Sequence, residues 1–158
     1  MRGPFLLEIA NPHSNTAEDV RRWTAVLRRR TRQEAVGAVA VDDAHTPRQI
    51  GRAWIMVKVP GVSADHLRAA LRSFAFYATT GPEVELGASE GAIRCAGEVA
   101  SLTFVDQEGR VRAEVPGPDG AYRPAGDEGF IRVEARNQGG GRVWSQPFWI
   151  DDAERNGL

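Results

Sequence analysis

The chain has 158 residues, 42% of them hydrophobic and 26% charged, with a net charge of −1. That balance describes a folded globular chain of one ordinary domain or two small ones and excludes a disordered polymer. Near-neutrality argues against a general nucleic-acid or membrane-surface binder, which carries a basic excess, and the single cysteine, Cys95, excludes an internal disulfide. No apolar stretch approaches a membrane span, and Phe5-Leu6-Leu7 is broken by Glu8 before it reaches the length of a secretory signal. A cytoplasmic protein with no membrane or nucleic-acid partner is expected.

Residues 5–9 read as a short strand, followed by a loop containing Asn11 and Pro12. Thr16 with Asp19 three residues on resembles a capping box, and Val20, Trp23, Val26 and Leu27 then recur at helical spacing. Acidic Glu18 and Asp19 open this helix, and Arg28, Arg29, Arg30 and Arg32 close it, which suits the macrodipole at both ends. The arginines are read as a solvated helix end in preference to a phosphate patch. The Val- and Ala-rich run 36–41 predicts a buried strand, and 53–59 predicts another. Ser63 is the expected N-cap of a second helix whose apolar stripe is Leu67, Ala70, Leu71 and Phe74. His66 falls in its first turn, off that stripe, as a surface residue. Alternating strand and helix signals are the grammar of an α/β layer with a partly parallel sheet.

After Pro82 the pattern changes to short alternating segments at 84–86, 92–95, 99–105, 110–115, 130–136 and 142–150. Glycine- and proline-rich clusters separate them, including 116–120 and the hairpin-like Gly139-Gly140-Gly141. This predicts a small antiparallel β-sandwich with Phe130, Ile131, Val133, Val143, Trp144, Phe148 and Trp149 as its core. Trp144 and Trp149 are expected to pack there rather than to stack on sugars. Cys95 is expected to be a packed thiol within a strand. Residues 151–158 read as a polar tail.

The run 36–41 ends in Asp42-Asp43-Ala44-His45. A carboxylate and an imidazole two residues apart in an extended segment point the same way, so Asp43 and His45 can reach one metal. The carboxyl end of a strand is also where α/β barrels carry their chemistry. A turn begun by Asp42 and Asp43, with His45 on the surface, is the alternative. The nucleophile elbow, the P-loop and the dinucleotide fingerprint are all absent, and no catalytic residue is assigned.

Val39-Ala40-Val41-Asp42-Asp43-Ala44-His45, followed by Gly51-Arg52-Ala53-Trp54-Ile55-Met56-Val57-Lys58, resembles the last metal motif of the polymerase and histidinol phosphatase (PHP) family. Three further matches come in the family's order. Leu7-Glu8-Ile9-Ala10-Asn11 is similar to a strand ending Glu-[Val/Ile]-Tyr-Asn, with Ala10 where Tyr is common. The stretch from Leu67 through Phe74 to Phe76-Tyr77-Ala78-Thr79-Thr80-Gly81-Pro82 resembles its helix and closing segment. Trp144-Ser145-Gln146-Pro147-Phe148-Trp149 resembles the Trp-Ser-Asn-Pro-Ile-Trp ending of members with an extra C-terminal domain.

The resemblance implies a partial (β/α) PHP-type barrel segment over residues 1–82 and a β-sandwich over 83–150, an α/β plus all-β chain. It implies divalent ions (Mn, Zn, Fe or Mg) held in part by Asp43 and His45, with Asn11, Asp42, Thr80 and Gly81 on the pocket rim. For Asn11 a loop-shaping role, and for Asp42 a loop-capping role, stand as alternatives. The family's early His-x-His pair has no counterpart among His13, His45 and His66. The chain is therefore expected to be the C-terminal portion of a metal-dependent phosphoesterase, inactive alone. Its expected partners are an N-terminal PHP half or a second copy, and a phosphoester once the barrel is complete. The alternative is a non-catalytic relic or accessory module whose sandwich mediates protein or carbohydrate contacts.

Overall fold

A computed structural model describes residues 5–150, and these are mostly β-structure with two α-helices. The expected polar tail, 151–158, lies outside the described residues. Backbone contacts divide the chain between Thr80 and Gly81 into two compact units.

In the first unit, strands β1 (Phe5–Ala10) and β2 (Val36–Ala40) pair in parallel, with Phe5 opposite Val36 and Ala10 opposite Ala40. Parallel neighbours need a crossover, and helix α1 (Thr16–Leu27) supplies it. Its Val20, Trp23 and Leu27 are buried as their spacing predicts, and the Trp23 indole donates to the Val36 carbonyl at 2.7 Å. The N-cap is Asn15, whose side chain accepts from the Glu18 amide, one residue before the expected Thr16. Amide-bearing Asn caps as well as Thr, so spacing alone did not separate the two. Arg28, Arg29, Arg30 and Arg32 are all exposed.

Strand β3 (Trp54–Val57), helix α2 (Ala64–Arg72) and strand β4 (Phe76–Thr79) follow. Ser63 caps α2 through the His66 amide. Phe74, at φ +57°, turns the chain back after the helix, so β4 runs antiparallel to β3, Val57 opposite Phe76. Gly37 of β2 lies against the Phe74 ring, where a Cβ would come within 2.6 Å of it. The parallel part of this unit is thus the β1–β2 pair. No set of strands closes a barrel among the described residues.

The second unit contains no helix among the described residues. Strands β5 (Val84–Ser89), β6 (Ala92–Gly97) and β9 (Asp119–Tyr122) form one antiparallel sheet in that order. Strands β7 (Ser101–Asp106), β8 (Val111–Pro116), β10 (Phe130–Arg136) and β11 (Arg142–Ser145) form another, ordered β11-β10-β7-β8, with β12 (Phe148–Trp149) also on β10. Phe104 of β7 stacks on Tyr122 of β9 at 5.6 Å between the two sheets. Phe130, Ile131, Val133, Val143 and Trp144 are fully buried, whereas Phe148 and Trp149 are half-buried, Trp149 edge-on to Phe130 at 5.2 Å. Burial pushes the Cys95 thiol up to about 12, which leaves it inert as a nucleophile at neutral pH.

No described helix is long and apolar enough to cross a membrane.

Candidate functional site

Because β1 and β2 are parallel and in register at Ala10 and Ala40, their carboxyl ends emerge side by side. The Val41 amide extends the pairing to the Ala10 carbonyl at 3.0 Å. Asn11 and the Asp42–Asp43 pair therefore leave the same edge together. The Asn11 side-chain nitrogen donates to Glu8 Oε1 at 2.8 Å and to Asp43 Oδ2 at 3.3 Å, and its oxygen accepts from the His13 amide at 2.8 Å. One amide thus separates two carboxylates that would otherwise repel, and it bends the following loop into an Asx turn.

Asp42 does not face that cluster. Its two oxygens accept from the amides of Gly51 (2.8 Å), Arg52 (2.5 Å) and Ala53 (2.8 Å). Those bonds, the Ala53 one foremost and then the Gly51 one, hold the Asp42 carboxyl below its ordinary value. Asp42 thus ties the loop 42–53 to the start of β3.

Asp43 has φ +48°, in the left-handed region, which Asp tolerates better than most residues. The chain consequently turns at Asp43, and strict alternation does not govern Asp43 and His45. His45 instead folds back so that Nδ1 lies 2.8 Å from the Asp43 carbonyl. A carbonyl only accepts, so Nδ1 carries the proton in this contact, and in the neutral ring Nε2 is then the nitrogen with the lone pair, the tautomer a metal-binding imidazole adopts. Gln49 Oε1 accepts from both the His45 and the Thr46 amides at 2.8 Å, within a capping box on the short 3₁₀ turn Pro47–Gln49.

Glu8 and His13 join this rim without having been singled out in the sequence. The His13 ring lies edge-on to His45, with centres 6.5 Å apart. The signal for Glu8 was its position in the strand that carries Asn11. His13 follows Pro12 in the loop that Asn11 turns toward His45. Of the remaining expected rim residues, Thr80 is half-buried and directly follows β4; Gly81 begins the other unit.

Asp43 and His45 have the donor chemistry for two positions on a divalent ion. They do not fit a multinuclear cluster, because no group of three or more His, Cys, Asp or Glu is gathered to hold a metal among the described residues.

Residues 34–75 match the family model described as PHP-associated. The match begins just before β2, contains Asp42-Asp43-Ala44-His45 and ends after α2, so it bears out the resemblance to the C-terminal portion of a PHP protein. The stretches around Glu8–Asn11 and Trp144–Trp149 lie outside it. No curated protein and no solved structure matches the chain.

Proposed function

We propose that this chain is the C-terminal part of a PHP-type metal-dependent phosphoesterase, with a sandwich domain appended to a segment of the barrel. The observation that supports it best is the shared carboxyl edge of β1 and β2. There Asn11, Asp43 and His45 meet, within or beside the PHP-associated segment. In this reading Asp43 and His45 are terminal ligands, Asn11 positions the Asp43 carboxylate, and Asp42 keeps the loop closed. A bound divalent ion supplies a water of lowered pKa and neutralises phosphate oxygens. The other ligands come from the N-terminal part of the barrel, and the substrate is a phosphoester.

An accessory role is the second reading, and it is favoured by the lack of a gathered three-ligand group among the described residues. The two are separated by assaying an aryl phosphate with Mn²⁺, Zn²⁺ or Mg²⁺, using this chain alone and then mixed with a separately expressed N-terminal PHP half. Hydrolysis that arises on mixing and disappears with His45→Ala supports the phosphoesterase. No hydrolysis in a mixture shown to associate supports the accessory role.

A further inference from the structure

We infer that two copies of this chain pair antiparallel along the open edge of β1, about a two-fold axis at Leu6. The inference goes beyond the phosphoesterase reading and does not depend on it.

Among the described residues β1 has β2 as its strand neighbour on one side, and its other edge pairs with no strand. Such an edge offers backbone donors and acceptors to a further strand unless Pro, Lys or a bulge blunts it. Phe5-Leu6-Leu7 contains no Pro or Lys, and the irregularity in register comes later, between Glu8 and Ala10. Phe5 is 50% and Leu6 44% exposed. The regularly paired part of β1 is therefore also the part that leaves apolar side chains in water.

Charge selects a second copy as the occupant. The turn 28–35 enters β2 at Val36, opposite Phe5, and carries the exposed Arg28, Arg29, Arg30 and Arg32. Glu8, Asp42 and Asp43 lie toward the carboxyl end of the same strand pair. An antiparallel second copy sets each basic end beside an acidic one, whereas a parallel copy would set like charge beside like. Two-fold symmetry makes the interface self-complementary, and a residue on the axis faces its own equivalent. With Leu6 there, Phe5 faces Leu7 of the second copy, so both exposed side chains gain an apolar cross-strand neighbour. Glu8 of the second copy then falls one position past Phe5, at the end that carries the arginine turn. So short an edge gives a micromolar dimer.

The experiment is sedimentation equilibrium of the purified full chain from micromolar to millimolar concentration, at low and high salt. A monomer–dimer equilibrium that weakens with salt is expected. Leu6→Lys is expected to be monomeric, and the double variant Arg29→Glu/Arg30→Glu to dimerise about tenfold more weakly at low salt. Opposite residues of an antiparallel pair stand about 4.5–5.5 Å apart, within disulfide reach. Leu6→Cys is therefore expected to oxidise to a covalent dimer far faster than Val62→Cys, which is 93% exposed elsewhere on the unit. Cys95 is buried and adds no background. A parent that stays monomeric throughout overturns the inference. So does a dimer that survives Leu6→Lys, or Leu6→Cys that cross-links no faster than Val62→Cys. A dimer indifferent to Arg29→Glu/Arg30→Glu overturns the antiparallel arrangement. Circular dichroism confirms that each variant is folded.

Discussion

Asn11 and Asp43 hydrogen-bond side chain to side chain at 3.3 Å across 32 positions of sequence. They do so because the parallel register places the ends of their two strands at one edge. Replacing Asn11 by Asp keeps the oxygen that holds His13 but sets a third carboxylate between Glu8 and Asp43. Asn11→Asp is therefore expected to loosen the loop, read as faster hydrogen exchange at the His13 amide that Asn11 holds, while Asn11→Ala removes the Asx turn as well and is expected to speed that exchange further. Unchanged exchange at the His13 amide in both variants would show that Asn11 does not hold the loop.

Asp42 gives a pH dependence with a definite sign. Its folded-state carboxyl lies below the ordinary 3.8 because backbone amides stabilise the charged form. Its contribution is thus complete above the unfolded value and is lost as pH falls through the lower, folded one. Hydrogen exchange at Gly51, Arg52 and Ala53 is expected to be protected at neutral pH and to lose protection, beyond the intrinsic pH effect, below about 3.8. In Asp42→Asn those three amides are expected to exchange faster at every pH. Equal protection in parent and variant would remove Asp42 as the clamp.

Two buried tryptophans make opposite hydrogen-bond statements. Trp23 donates to the Val36 carbonyl at 2.7 Å, whereas Trp144 Nε1 is buried with no acceptor among the described residues, under the Arg142 guanidinium at 4.7 Å from the ring. Trp23→Phe loses both volume and a bond and is expected to destabilise by about 2–4 kcal/mol. Trp144→Phe loses volume but also removes an unsatisfied donor, and about 1 kcal/mol less is expected. Denaturant midpoints compare them, and a larger loss in Trp144→Phe would contradict this account.

Glu128, buried in the second unit, anchors a polar network. It accepts from the Tyr122 hydroxyl at 2.6 Å and from the Ala125 and Gly126 amides at 2.7 and 2.9 Å, with Arg112 at 3.6 Å. Burial pushes its carboxyl up, yet the Tyr122 and backbone bonds outweigh that and leave it lowered. Glu128→Ala strands these donors and is expected to destabilise by about 3 kcal/mol. Glu128→Gln, which keeps an acceptor, is expected to fall between variant and parent. A thermal melt of Glu128→Ala matching the parent's would rule the network out as a stabiliser.

Much of this was legible because periodicity and caps act locally. The β1–α1–β2 order, the Ser63 cap and strand β10 over Phe130–Arg136 follow from spacing alone. Strand β9 was not legible, since Pro116-Gly117-Pro118-Asp119-Gly120 reads as a turn. Its strand state comes from pairing with β6, Cys95 opposite Gly120, and from Gly120 lying against Leu102 and Val115, where a Cβ would come within 3.0 Å. Tertiary pairing overrides propensity there. At the rim, Asp42-Asp43-Ala44-His45 marked the place but not the geometry. The left-handed Asp43 and the Asn11-directed loop bearing His13 depend on contacts between strands far apart in sequence.

The most direct measurement is anomalous diffraction from crystals of this chain assembled with an N-terminal PHP half and grown with saturating Mn²⁺ or Zn²⁺. The account predicts a metal peak within bonding distance of the Asp43 carboxylate and His45 Nε2. Ordered Asp43 and His45 side chains with no peak beside them would contradict it.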